Sequence, residues 1–407
     1  MASIRMARSE TWLNLGVYIV LLENRVRVIS YLNVNGPVRG AQRPDGNNCR
    51  CDGPRWVVVF GRARESVLGV GLSDSVTVNG ASMVAAKRRG IWPALGLIFV
   101  APLVAEFLLG NLPIKLLPGL VVFAPMYGGG ALLIRELVRR TGRGWPSILL
   151  LGMAYGIFEE AYTTQSLFNP NYLKLNLGLL TPAYIPSLGI GAWWTLWMLM
   201  VHGIWSISTP IALVEACVPD RARTPWLNRV GMGVVALVFL LGACATTAMG
   251  YKQDHYLASI AQFVGAAVVM LALIALAFSM PKRQIVVSKG QDPSAWMVGP
   301  VALLFGSAAL FVPKEWGWVA VAELLGLDVV MLLAVLAWSR RGRWGLKHQL
   351  ALGAGAALAY GWHAFLQHPA VGGTDVSVRV GNAIFLAGAV GLIWFGARRV
   401  DLSGARS

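Results

Sequence analysis

From residue 91 onward the chain is a succession of apolar runs that a soluble fold could not hide. They cover about 91–110, 118–137, 146–167, 191–217, 230–250, 259–280, 295–312, 317–338, 349–367 and 382–397. Most approach the roughly 20 residues that a helix needs to cross the hydrocarbon of a bilayer. Lipid offers no water to a bare backbone, so each run has to close its own hydrogen bonds as an α-helix. The composition agrees, because 56% hydrophobic and 13% charged residues leave too little polar side chain to clothe a soluble protein of 407 residues. The sequence therefore predicts an all-α, polytopic transmembrane helix bundle of about ten spans.

The loops give an independent test of that count. With the start placed in the cytoplasm, Lys87, Arg88, Arg89, Arg135, Arg139, Arg140, Arg143, Arg221, Arg223, Arg229 and the later clusters through Arg406 put twenty basic residues inside. Lys115, Lys174, Lys252, Lys314 and Arg379 put five outside. Positive charge marks the cytoplasmic side, so both termini are predicted cytoplasmic, in a bacterial-type plasma membrane. The net charge of +16 is thus a topology signal whose partner is the lipid bilayer and not nucleic acid. Tryptophans near the segment ends, Trp92, Trp145, Trp193, Trp194, Trp316, Trp318, Trp338 and Trp344, fit the headgroup layer.

Residues 1–82 differ from the rest. They carry ten arginines and six acids, contain turn-rich stretches, and have no run longer than the 11 residues Trp12 to Leu22. They read as a poorly ordered extension or a misassigned start, with 83–407 as the transmembrane domain; the competing reading is a small cytoplasmic domain. Cys49 and Cys51 are only two potential ligands and make no zinc module.

A charge at the centre of a span costs about 2.5 to 3.5 kcal/mol, so each one that persists needs a partner, a cavity or a proton. The residues at depth are Glu106 on the first segment, Glu159 and Glu160 on the third, His202 on the fourth, Glu323 and Asp328 on the eighth, and His363 on the ninth. Glu106 and Glu215 lie close enough to helix ends to be expected in water. Gly152, Gly156, Glu160 and Thr164 recur every four residues and share one helix face, with Glu159 and Thr163 on its shoulder. Thr195, His202, Ser206 and Thr209 form a polar stripe on the next segment. A Glu on one helix and a His on the next can share a proton, hold a divalent metal or activate water. They can equally be a buried pair joining two helices.

Phe158-Glu159-Glu160 followed by a histidine on the next helix resembles the CAAX-protease and bacteriocin-processing family of intramembrane proteases. That family is marked by Glu-Glu-x-x-x-Arg and then Phe-x-x-x-His. The resemblance implies that a glutamate activates water for peptide hydrolysis, with Glu159 and Glu160 as the acidic pair and His202 as the histidine of the second motif. Thr164 stands where the family has arginine and Met198 where it has phenylalanine. For the later His-x-x-x-Asn the chain offers only His255-x-x-x-Ser259, and about 60 residues carry the likeness.

Two functions follow as expectations. One is an intramembrane hydrolase in which Glu159 or Glu160 is the general base, the other its proton partner or a metal ligand, and His202 orients water. The other is a proton-coupled transporter of an unidentified peptide or small molecule. There Thr163, Thr164, Ser206, Glu323, Asp328 and His363 line the path, beside a second helix bent at Pro125 and Gly128-Gly129-Gly130. A third reading keeps every polar group as glue between helices. The stretch Leu167 to Tyr172, with two Asn and a Pro, ends the third helix and is placed to fold over the glutamates. No phosphate-binding Gly-x-x-x-x-Gly-Lys loop, His-Glu-x-x-His pair or Gly-x-Ser-x-Gly elbow occurs.

Overall fold

The computed structural model describes residues 12–22, 25–35, 55–61, 90–282, 293–339, 344–370 and 375–404. The chain divides into two units, Met1–Val84 and Ala85–Ser407. In the first, strands β1 (Trp12–Leu22), β2 (Arg25–Asn35) and β3 (Arg55–Gly61) pair antiparallel in the order β1-β2-β3. The remainder of 1–82, with Cys49 and Cys51, lies outside the described residues.

The second unit is helical, as the apolar runs require. Its rods are α1 (Trp92–Leu108), α2 (Ile114–Arg140), α3 (Trp145–Phe158, carried on by the turn Glu159–Thr163) and α4 (Ala192–Cys217). Then come α5 (Arg229–Asp254), α6 (Ile260–Ser279), α7 (Ala295–Leu310), α8 (Trp318–Ser339), α9 (Leu346–His363) and α10 (Val376–Gly404). Six of these, α2, α4, α5, α6, α8 and α10, are long and apolar enough to cross a membrane. A two-stranded ribbon, β4 (Tyr184–Ile185) and β5 (Ile190–Gly191), closes the connection from α3 to α4.

Burial sorts the rods. The apolar stretch of α4 is 72% buried, whereas those of α5, α6 and α8 are only 11% buried, so α4 is the axis and the others turn apolar faces outward. Around α4 pack α1, α3, α9 and α10; α7 packs on α9, and α6 on α3. Close approach is bought by glycine where side chains would collide. A Cβ on Gly128 would lie 2.0 Å from the Ile98 carbonyl oxygen, and one on Gly152 3.1 Å from the Gly203 Cα. Gly128-Gly129-Gly130 therefore packs α2 against α1, α3 and α5.

One expectation about a charge near a helix end is corrected here. Glu215 is buried, because Arg135 and Arg139 of α2 reach it from across the interface: Arg139 donates to its two oxygens at 2.8 and 2.6 Å, and Arg135 at 3.0 Å. Arg135, itself fully buried, also donates to Glu136 at 2.6 Å and stacks on Trp226. Charges that cannot reach water are here matched one to another. Of the expected belt tryptophans, Trp92, Trp316 and Trp318 are exposed, but Trp193 is buried.

Candidate functional site

Among the described residues the helices widen to π geometry four times, over Leu103–Leu108 in α1, Ala124–Gly128 in α2, Glu159–Thr163 in α3 and Val201–Ser208 in α4. A π turn inserts one residue into the helix and re-aims the side chains on it, and such turns recur at functional sites. Each of the four carries a polar residue of one cluster: Glu106, Tyr127, the Glu159-Glu160 pair and His202. Their causes are local. Pro102, Pro125 and Pro210, which cannot donate to a preceding turn, lie inside or within two residues of three of them. In α3 the Thr163 and Thr164 hydroxyls donate to the Glu159 carbonyl at 2.7 and 3.1 Å, and the Thr164 amide joins them from five residues on at 2.9 Å.

The geometry centres on the His202 imidazole. Its Nε2 lies 2.8 Å from Glu160 Oε1, and its Nδ1 lies 3.4 Å from Glu159 Oε2. All three residues are buried. Glu160 is fully engaged: its Oε2 accepts the Thr164 hydroxyl at 2.9 Å and the Ser166 hydroxyl, and Ser166 in turn accepts the Trp194 indole N–H at 3.0 Å. Glu160 is thus a fixed acceptor that holds one edge of the ring. The other edge is different. Glu159 Oε2, His202 Nδ1 and the Tyr155 hydroxyl are buried without a hydrogen-bond partner among the described residues. Buried polar atoms are seldom left so, and a cluster of them calls for an occupant.

Aromatic rings fix the imidazole from two sides. Tyr127 stacks on it at 6.2 Å and Tyr155 meets it edge-on at 5.8 Å. Tyr127 donates its hydroxyl to Glu106 at 2.6 Å, and Asn111 donates to the other Glu106 oxygen at 2.5 Å. Glu106, expected in water, is instead half-buried and tied to the ring that covers His202. Gly156 lets α3 approach: a Cβ there would stand 3.0 Å from His202 Cβ.

The stretch after α3 turns back over Glu160. Gln165 adopts φ +56°, which drops Ser166 onto the carboxylate, and Leu167, Phe168 and Asn169 are buried beyond it. Asp254 at the end of α5 accepts the Asn169 side-chain amide at 2.8 Å and the Leu173 N–H at 3.0 Å, strapping the stretch down.

The residues expected at the site separate into two groups. Glu159, Glu160, His202, Thr163 and Thr164 come together, and Ser206 is buried a turn beyond His202 on the same helix. Glu323 is exposed on α8, Asp328 is half-buried there, and His363 ends α9 against Phe311; among the described residues none of the three is hydrogen-bonded to the cluster. Tyr127, Tyr155, Glu106, Asn111, Ser166 and Trp194 went unnoticed as site residues in the sequence. Only the Tyr127 position, between Pro125 and three glycines, carried a signal of irregular backbone. Glu159, Glu160 and His202 each offer one ligand atom within 4.8 Å of the others, a spacing at which a divalent cation could be held.

These residues lie within a stretch shared with other chains. The chain belongs to an uncharacterized membrane protein family. The family model matches residues 95–394, which takes in every site residue named above. No curated protein and no solved structure matches the chain. Family membership and the six long apolar helices together make this a multi-pass membrane protein in a lipid bilayer.

Proposed function

We propose that the cluster is an intramembrane hydrolase site that activates water, of the type implied by the resemblance to the CAAX-protease and bacteriocin-processing family. The observation that carries this reading is the division of labour around one imidazole. Glu160 holds Nε2, while Nδ1 and Glu159 Oε2 face each other 3.4 Å apart with no other partner among the described residues. A water against that edge can donate to Glu159 Oε2 and to Nδ1, and the pair can take its proton as the oxygen attacks and return it to the leaving group. The Tyr155 hydroxyl, buried without a hydrogen-bond partner among the described residues, is a donor for charge that develops on a substrate carbonyl. Ser166 and Thr164, the latter standing where the resembling family has arginine, supply hydrogen bonds to Glu160. A divalent cation held by Glu159, Glu160 and His202 would add Lewis-acid help at the same place.

The transporter reading has less to support it. Glu323, Asp328 and His363 stand apart from the cluster, so no chain of ionisable groups leads away from it among the described residues. We also read the chain as ten spans with both ends in the cytoplasm of a bacterial-type plasma membrane, from the 20-to-5 division of basic residues. That reading places the strapped stretch 165–189 outside.

The test is release of new amino termini from membrane-inserted peptides by the protein in liposomes. Glu159→Gln and His202→Gln should each lower cleavage at least about 100-fold while the protein stays folded. Absence of cleavage by the unaltered protein, with solute flux that follows a proton gradient, would favour transport instead.

A further inference from the structure

A second polar feature lies at the other, arginine-rich end of the bundle, where α2, α4 and α10 finish and α9 begins. A cavity of about 300 Å³ opens there between Arg139, Glu215, Asp220, Arg223, Gln349 and Ser403. A smaller one continues it past Arg139 and Arg223 to Arg143. Three features make this a built site. Gln349 is only 8% exposed, yet its side-chain amide has no hydrogen-bond partner among the described residues. Arg143 Nε, on the continuation, is likewise buried without a partner. Arg223, which lines both cavities, is exposed and has a guanidinium that nothing described engages.

The lining charges settle the sign of the occupant. Both Glu215 oxygens are taken by Arg139 and Arg135, so Glu215 offers no open acceptor. Arg135, Arg139 and Arg140 outnumber their partners Glu136 and Glu215 by one, and Arg143 and Arg223 add two more positive charges against Asp220. Unused guanidinium and amide donors in an excess of positive charge are the donor set that a phosphate takes. Asp220, exposed at the rim, disfavours a second anionic group beside the first. The volume stands at the lower end of small-ligand pockets, enough for a phosphate-bearing headgroup.

We infer that this cavity binds a single phosphate group, carried either by an anionic phospholipid of the surrounding leaflet or by a small soluble phosphate compound. The site is separate from the His202 cluster and its occupancy does not depend on the reaction proposed there.

The full-length protein in neutral detergent tests it with two probes. Native mass spectrometry with phosphatidylglycerol is compared with diacylglycerol, which has similar chains and no phosphate, and melting is followed with inorganic phosphate. Arg223→Gln and Gln349→Leu leave the buried Arg–Glu network untouched. Retention of phosphatidylglycerol over diacylglycerol that falls about tenfold in each variant supports the site and identifies lipid as the source. Phosphate-dependent thermal stabilisation that both variants lose, without a change in lipid retention, supports it with a soluble source. Binding of both probes unaltered by either substitution, or equal retention of diacylglycerol with no phosphate-dependent stabilisation, overturns it.

Discussion

Glu159→Gln separates a working site from a structural clasp, because the two readings give it opposite signs. In the folded chain Glu159 is buried, and its Oε2 has no hydrogen-bond partner among the described residues although it faces His202 Nδ1 at 3.4 Å. Leaving a buried polar atom unsatisfied costs about 1 to 3 kcal/mol, more when it carries charge. Glutamine has the same shape, carries no charge, and can donate its amide N–H to Nδ1. Substitution should therefore stabilise the protein by about 1 to 3 kcal/mol, which for a chain of this size is a rise in melting temperature of roughly 1 to 4 °C. The assay is thermal unfolding in one detergent at one pH, with cleavage measured on the same preparation. Activity should fall as stability rises, the pattern of a residue kept for chemistry against the interest of the fold. A drop in melting temperature of more than about 4 °C would mean that Glu159 is part of the glue, and the argument from its unpartnered oxygen would fail.

Three further outcomes follow from the packing. Gly128→Ala places a Cβ 2.0 Å from the Ile98 carbonyl oxygen, a backbone atom that cannot swing aside; the loss should reach at least about 3 kcal/mol and appear as poor recovery of monodisperse protein. Glu215→Ala strands the Arg139 guanidinium in the interior, while Arg135 keeps Glu136, and should cost about 3 to 5 kcal/mol, whereas removal of both charges in Glu215→Leu with Arg139→Met should restore part of that loss in a melting experiment. Outside the spans, the Asp375 carboxyl is held by hydrogen bonds from Lys115 and then Ser377, and its pKa falls from 3.8 to about 2. A carboxyl lowered on folding contributes fully above its ordinary value and loses that contribution as pH falls through the lowered one. Melting of the unaltered protein should thus fall more steeply between about pH 4 and pH 2 than melting of Asp375→Asn.

Much of this architecture is readable in the sequence because lipid is a severe solvent. Each apolar run from 91–110 to 382–397 has a helix in the described structure, and the glutamates and histidine stand out where charge is expensive. Of the irregularities, only the bend at Pro125 and the fold-back after α3 were readable. A search at 3.6 residues per turn treats 146–167 as one regular helix, but hydroxyl bonds to the Glu159 carbonyl widen it at Glu159–Thr163, and Gln165 at φ +56° ends it. Ser166 therefore folds back onto Glu160 instead of continuing a helix face. Glu106 and Glu215 were misjudged for a common reason. Distance along the chain from a helix end measures access to water only when nothing covers that end. Tyr127 and Asn111 cover Glu106, and Arg135 and Arg139, about 80 residues from Glu215, cover the other. Side-chain partners from other helices leave no periodic trace.

The four π turns also connect backbone to chemistry. They place Glu106, Tyr127, the glutamate pair and His202 on four different helices around one imidazole. A regular helix at any of them would rotate its side chain by about 100 degrees away from the others. The site is consequently a property of the bundle as a whole, and the glycine contacts at Gly128, Gly152 and Gly156 belong to it as much as the charged groups do.

Water activation at the Glu159–His202 edge is tested most directly by isotope transfer. Membrane peptides are incubated with the protein in liposomes in water enriched in oxygen-18, and the newly formed carboxyl ends are weighed by mass spectrometry. The expected result is one heavy oxygen in each new carboxyl end from the unaltered protein and none above background from His202→Gln. New ends made equally well by His202→Gln, or made without heavy oxygen, would contradict it.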